Sequence, residues 1–179
     1  HFFEPKGLTR AVSPASDISK DTEMTLTYQP RGKYFEDFKV GDEFVSPART
    51  ITSTDIVNFA CLSGDFNEVH VNHEYCKTTP FGEPIAHGPM IYAIMGGLQY
   101  ASGINDGTMI ALLGIDNWRL LNPVKHGDTI RLHSRVLETK ETSKPDRGVV
   151  TFERRCIKQD DTVAQEMKTT LMYKRRPLV

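Results

Sequence analysis

The residues with chemical potential crowd into two short stretches. The first, Ser63-Gly64-Asp65-Phe66-Asn67-Glu68-Val69-His70, brings a carboxyl, an amide and an imidazole close together in the chain. The second, Glu83-Pro84-Ile85-Ala86-His87-Gly88-Pro89-Met90, opens a long apolar run. A carboxylate near an imidazole suits proton transfer. A glycine where a helix begins offers a free N–H at the positive end of the helix dipole, with no side chain to keep a ligand away. Pro89 lacks an N–H, as suits a first helical turn. Adding water across an α,β-unsaturated thioester needs these parts. A base takes a proton from water as its oxygen attacks the β-carbon, an acid protonates the α-carbon, and a donor holds the enolate-like oxygen. Asp65 and His70 are the candidates for the proton work, and the Gly88 N–H is the candidate oxyanion donor.

The remaining reactive groups read as bland. His73 is expected to be a solvated loop or helix-start residue, and His87 a helix-start residue bonded to backbone. His126 falls in a turn and His133 on a polar strand face. These imidazoles look too scattered for a metal site, and the cysteines do not join them. Arg49, Lys77, Arg119, Lys125 and the run Lys174-Arg175-Arg176 are cations without an assigned partner.

The elements that must hold these stretches can be read from pattern. Residues 43–51 read as one strand after the turn Val40-Gly41-Asp42. Thr52 and Asp55 form a capping box. Ile56, Phe59, Ala60 and Leu62 then recur at helical spacing until Gly64 stops the helix. Residues 85–101 are apolar almost all round, predicting a buried helix, and Gly96 and Gly97 predict that something packs closely against it. Residues 109–115 form a short apolar run. Three segments then alternate with period two: 130–136, 150–156 and 163–173. That pattern marks antiparallel strands covered on one face. The expected fold is α+β, a long antiparallel sheet wrapped round one central buried helix, the hot-dog arrangement. An open edge of such a sheet favours pairing with a second copy. Residues 1–32, with three prolines and no periodicity, read as an N-terminal extension, and 33–179 as the domain.

Composition narrows the function classes. The chain has 179 residues, 22 Lys and Arg against 23 Asp and Glu, and a net charge of -1. That balance gives no support for a nucleic-acid partner. No apolar run is long enough to span a bilayer, so no membrane role is expected. Three widely spaced cysteines argue against a disulfide framework and for a reducing compartment, the cytoplasm or an organelle matrix.

From about Tyr34 to about Tyr173 the chain resembles the MaoC-like, or (R)-specific, enoyl-CoA hydratase family. The family's run Ser-Gly-Asp-x-Asn-Pro-x-His is matched by residues 63–70, and its central-helix opening by Ile85-Ala86-His87-Gly88-Pro89-Met90. The resemblance implies that Asp65 and His70 are the catalytic pair, that Asn67 helps hold the loop, and that Gly88 supplies the oxyanion N–H. It implies a trans-2-enoyl-CoA substrate, an (R)-3-hydroxyacyl-CoA product and no metal or redox cofactor, while a homodimer is expected from the open sheet edge. Two positions depart from the pattern. Glu68 replaces the proline, and Gly96 stands where some members carry a serine. A thioesterase and a non-catalytic acyl-CoA-binding module are the alternatives on the same fold.

Overall fold

A computed structural model describes residues 30–177. The expected extension lies outside the described residues except for its last three. There Arg31 pairs with Asp106 at 2.8 Å, and the Gly32 N–H donates to the Asp106 carbonyl at 2.9 Å.

A 3-10 turn, Phe35–Asp37, leads into β1 (Glu43–Val45) and β2 (Arg49–Thr50), then α1 (Ser53–Ser63), α2 (Glu68–Val71), α3 (His73–Cys76) and α4 (Gly88–Ala101). The long strands β3 (Met109–Leu120), β4 (Thr129–Glu141), β5 (Arg147–Lys158) and β6 (Val163–Lys174) follow. They form one antiparallel sheet in the order β1-β4-β5-β6-β3, with β2 also on β4. This is the hot-dog arrangement read from the pattern. β5 alternates buried and half-buried residues along almost its whole length. Its inner residues Val150, Phe152, Arg154 and Cys156 face the helix side, with Leu132, Ser134 and Val136 on β4 and Met167, Thr169 and Leu171 on β6.

α1 starts and stops where the sequence says. Thr52 accepts from the Asp55 N–H, Asp55 reaches back to the Thr52 N–H, and Gly64 ends the helix in the left-handed region at φ 77°. The single strand expected over 43–51 is instead two short ones. Pro47 lies between them and cannot donate to the ladder. α4 begins at Gly88 rather than 85, because Ile85 bridges to Lys125 and the Ala86 N–H donates to the Val124 carbonyl. The strand expected over 109–115 runs on to Leu120.

α4 buries Met90, Ile91, Met95, Leu98 and Gln99 against the sheet. It is not buried all round. Ala93, Gly96, Gly97 and Tyr100 lie open, and a Cβ added at Gly96 or Gly97 would meet nothing within 4 Å. The close packing inferred from those glycines is therefore absent within the described chain, since one sheet covers one face of a helix. A second core of Phe35, Phe38, Phe152, Leu171 and Tyr173 closes the opposite end of the sheet. No helix among the described residues is long and apolar enough to cross a membrane.

Candidate active site

The loop after α1 is held by its own side chains. Ser63 Oγ donates to the Phe59 carbonyl at 2.7 Å and accepts from the Asp65 N–H at 3.2 Å. The Asn67 N–H donates to Asp65 Oδ1 at 3.2 Å, a local turn that aims the carboxylate. Asn67 then caps α2, its Oδ1 accepting from the Val69 N–H at 3.4 Å. Glu68 is the first residue of α2. Both proline and an acid suit that position, the one because its N–H is surplus, the other because of the dipole. Replacing proline by glutamate therefore keeps the turn, and Glu68 Oε1 also accepts from Asn72 at 3.1 Å.

His70 projects from α2 toward the start of α4. Its Nδ1–H donates to the Ile85 carbonyl at 2.7 Å. In the neutral ring this leaves the lone pair on Nε2. Nε2 faces Asp65 Oδ2 at 4.0 Å, with the imidazole 13% and the carboxylate 53% exposed. That gap is too long for a direct hydrogen bond and suits a bridging water.

His87 matters more than its sequence reading. It is 1% exposed and does bond to backbone, but the backbone is that of Asp65, whose carbonyl accepts from Nε2–H at 2.9 Å. Its ring stacks on His70 with centroids 3.7 Å apart, and Phe59 lies 5.0 Å beyond. His87 thus fixes the Asp65 backbone and one face of His70 at once. The judgement that the imidazoles are scattered fails here. Donor atoms of Asp65, His70 and His87 lie within 4.8 Å of one another, and a metal ion could be held only by this set among the described residues. The two rings are stacked, and each has one nitrogen committed to a carbonyl. This donor geometry fits a positioned base better than ligands converging on an ion.

Gly88 is the first residue of α4, where an N–H has no partner inside the helix. A Cβ at Gly88 would stand 2.8 Å from Leu120 Cδ1, the tip of an exposed side chain, so a larger residue would crowd the approach to this N–H unless Leu120 turned aside. The Gly88 carbonyl accepts from Gln165 Nε2 at 2.9 Å, and Gln165 Oε1 accepts from Trp118 Nε1 at 3.0 Å. A cavity of about 400 Å³ lies against this corner, lined by His70, Ile85, Gly88, Ile91, Leu120, Asn122 and Gln165 among others.

His70 and Gly88 therefore line one cavity and Asp65 faces His70 beside it; Asn67 supports the loop, and neither Asp65 nor Asn67 lines the cavity. His87, Gln165 and the Ile85 carbonyl were not assigned to the site from sequence. Gln165 did carry a signal, a polar residue on the apolar face of an alternating strand. The other histidines lie outside. His73 starts α3, exposed, His126 Nδ1 accepts from the Ser53 N–H at 2.9 Å, and His133 faces Glu43 at 3.4 Å. Of the cations left open in sequence, Arg49 pairs with Asp55, Lys77 with Glu74, Arg119 with Glu166, Lys125 with Glu83, and Arg175 and Arg176 with Glu36 and Asp37, while Lys174 Nζ donates to the Gly107 carbonyl at 2.9 Å.

Residues 37–155 match the family model for the MaoC like domain. The chain is 40% identical over 119 residues to protein MaoC of Klebsiella aerogenes, covering 66% of this chain but only 34% of that protein, about a third of its length. It is 33% identical over 143 residues to the (R)-specific enoyl-CoA hydratase of Rhodospirillum rubrum, covering 78% of this chain and 91% of that one. Among solved structures, a monoamine oxidase regulatory protein from Archaeoglobus superposes with a TM-score of 0.75 at 32% identity, covering 82% of this chain and 97% of that one. The chain belongs to the MaoC-like dehydratase family.

Proposed function

We propose that this protein reversibly hydrates a trans-2-enoyl-CoA to an (R)-3-hydroxyacyl-CoA. The observation that carries the reading is the carboxylate–imidazole pair, Asp65 and His70, facing one another at 4.0 Å beside the free N–H of Gly88. A water sits in the gap. Asp65 accepts one of its hydrogens and orients it. His70 Nε2 takes the other proton as the oxygen bonds to the β-carbon. The electron pair of the double bond moves to the thioester oxygen, where the Gly88 N–H holds the developing charge. The enolate then collapses, and the imidazolium returns its proton to the α-carbon from the same face. One water is consumed and both side chains are regenerated. Ile85 and His87 keep His70 in the tautomer and orientation these steps need. The reaction requires no metal or redox cofactor.

The working unit is a homodimer. β3 has a neighbour only on its β6 side among the described residues, and Ile110, Leu112, Leu113, Trp118 and Leu120 are exposed along it. An open apolar edge of this length is suited to pairing with the same edge of a second copy. The expected solution mass is twice the 20.2 kDa of the chain.

The test is crotonyl-CoA with purified protein, following loss of the conjugated-thioester absorbance beside a free-thiol assay. Loss of absorbance without thiol release, absent in Asp65→Asn, supports hydration. Thiol release would instead mean a thioesterase.

A further inference from the structure

Among the buried residues of the sheet's inner face, Arg154 is the one that carries a charge. Arg154 on β5 is 3% exposed and forms no ion pair with any described residue. Its Nε and Nη2 are buried without a hydrogen-bond partner. Burial pulls the guanidinium below its usual value, while Tyr92 and Tyr173 act the other way. A guanidinium nonetheless keeps its proton in a protein, so the site holds a buried, incompletely matched positive charge.

The two orphaned nitrogens share one edge of the guanidinium, where parallel N–H groups fit the two oxygens of a carboxylate. The same chain shows that edge filled. On the surface, Arg147 donates from Nε and Nη2 to the two oxygens of Asp146, at 2.7 Å each. Arg154 presents the same fork and no carboxylate meets it. The surroundings offer more donors than acceptors are found for. Ser134 lies directly across from Arg154 on β4, and Thr169 sits diagonally on β6 opposite Phe152. The hydroxyls of both are buried and unpartnered, as is Gln99 Nε2 on the buried face of α4.

A chain of contacts links this group to the candidate active site. The guanidinium sits 6.0 Å from the Tyr92 ring centroid, and the Tyr92 ring 5.6 Å from that of Trp118. Trp118 is bonded to Gln165, which is bonded to Gly88. Tyr92 stands one helical turn beyond Gly88, a rise of about 6 Å along α4.

We propose that Arg154 receives a carboxylate carried on the acyl group, so that the preferred substrate is an enoyl-CoA whose acyl chain bears a second, free carboxylate. The enoyl part of this statement rests on the hydratase reading above, and the carboxylate part rests on Arg154 alone. The serine and threonine hydroxyls beside the fork would hold the same anion.

Calorimetric titration of the full chain with succinyl-CoA and butyryl-CoA, saturated thioesters that cannot be hydrated, tests the carboxylate part. Succinyl-CoA is expected to bind at least about tenfold tighter, the scale of a charge-assisted hydrogen bond in a buried site. Arg154→Met should bring the two constants together. Should that variant not fold, Arg154→Lys, which keeps charge without the fork, should still lose most of the preference. Equal or weaker binding of succinyl-CoA, or a preference that survives in the variants, would overturn the proposal. Turnover of crotonyl-CoA and of trans-3-carboxyacrylyl-CoA separates the two parts. Higher kcat/KM for the carboxylated substrate supports the proposal. Turnover of crotonyl-CoA alone overturns it and leaves the hydratase reading standing. A binding preference with no turnover of either substrate supports the role of Arg154 and removes the hydratase reading.

Discussion

The two ends of the sheet's inner face are built on opposite terms. At one end Phe35, Phe38, Phe152, Leu171 and Tyr173 pack tightly, and Phe38 meets Phe152 edge-on with centroids 5.6 Å apart. Even the Tyr173 hydroxyl there is satisfied, donating to Asn105 at 2.6 Å. At the other end stand a half-exposed carboxylate, an imidazole with a free lone pair, a helix N–H without an acceptor and a cavity. The aromatic end maximises contact. The Gly88 end keeps polar groups in reserve for a ligand and spends rigidity on aiming them through His87, Ile85 and Gln165. Stability and chemistry are thus separated along one sheet, and substitutions at the two ends should have separable consequences.

The sharpest separation comes from the dyad. Asp65→Asn or His70→Ala should lower hydratase turnover by about 10³-fold or more, the range for a positioned acid–base group. Thermal denaturation should remain near the parent, because neither side chain is in the core. Phe152→Ala should do the reverse. It removes a fully buried ring and should cost about 3–5 kcal/mol in denaturant unfolding, with kcat of the folded fraction little changed. His87→Leu sharpens the comparison from the site end. It keeps the packing on Phe59 but loses the bond to the Asp65 carbonyl and the stack on His70. Turnover should fall by about 10–100-fold through misplacement rather than lost chemistry, with kcat affected more than KM.

The smallest expected effect lies in the turn that holds β2 and α1. Burial alone would raise the pKa of Asp128. Hydrogen bonds from Gln159, Lys158 and the Lys125 N–H outweigh it and hold the carboxyl below its ordinary 3.8. A carboxyl whose folded value is depressed stabilises the protein above its unfolded value and loses that contribution as pH falls through the folded one. Asp128→Asn should therefore lower the melting temperature at neutral pH, and the gap to the parent should close below about pH 3.8.

Much of this architecture is written locally in the chain. The Thr52–Asp55 cap, the Gly64 stop and the period-two strands depend on neighbours a few residues apart, so they are legible without a structure. The order Asp65, Asn67, His70 was legible for the same reason, since one turn holds all three. What could not be read depends on contacts across the fold. His87 reaches Asp65 over 22 positions, and Gln165 reaches Gly88 over 77. The exposed face of α4 follows from which strands cover it, a property of the sheet rather than of the helix sequence. Arg154 occupies a core position of an otherwise apolar alternation, and its unmatched fork is visible only once the strands are assembled.

The central claim is that one water, held between Asp65 and His70, supplies both new bonds from one face of the double bond. Hydration of crotonyl-CoA in deuterium oxide, followed by NMR assignment of the product, tests it most directly. The account predicts (R)-3-hydroxybutyryl-CoA with deuterium at the α-carbon added syn to the hydroxyl, as a single diastereomer. Anti addition, or deuterium scrambled over both α positions, would contradict it.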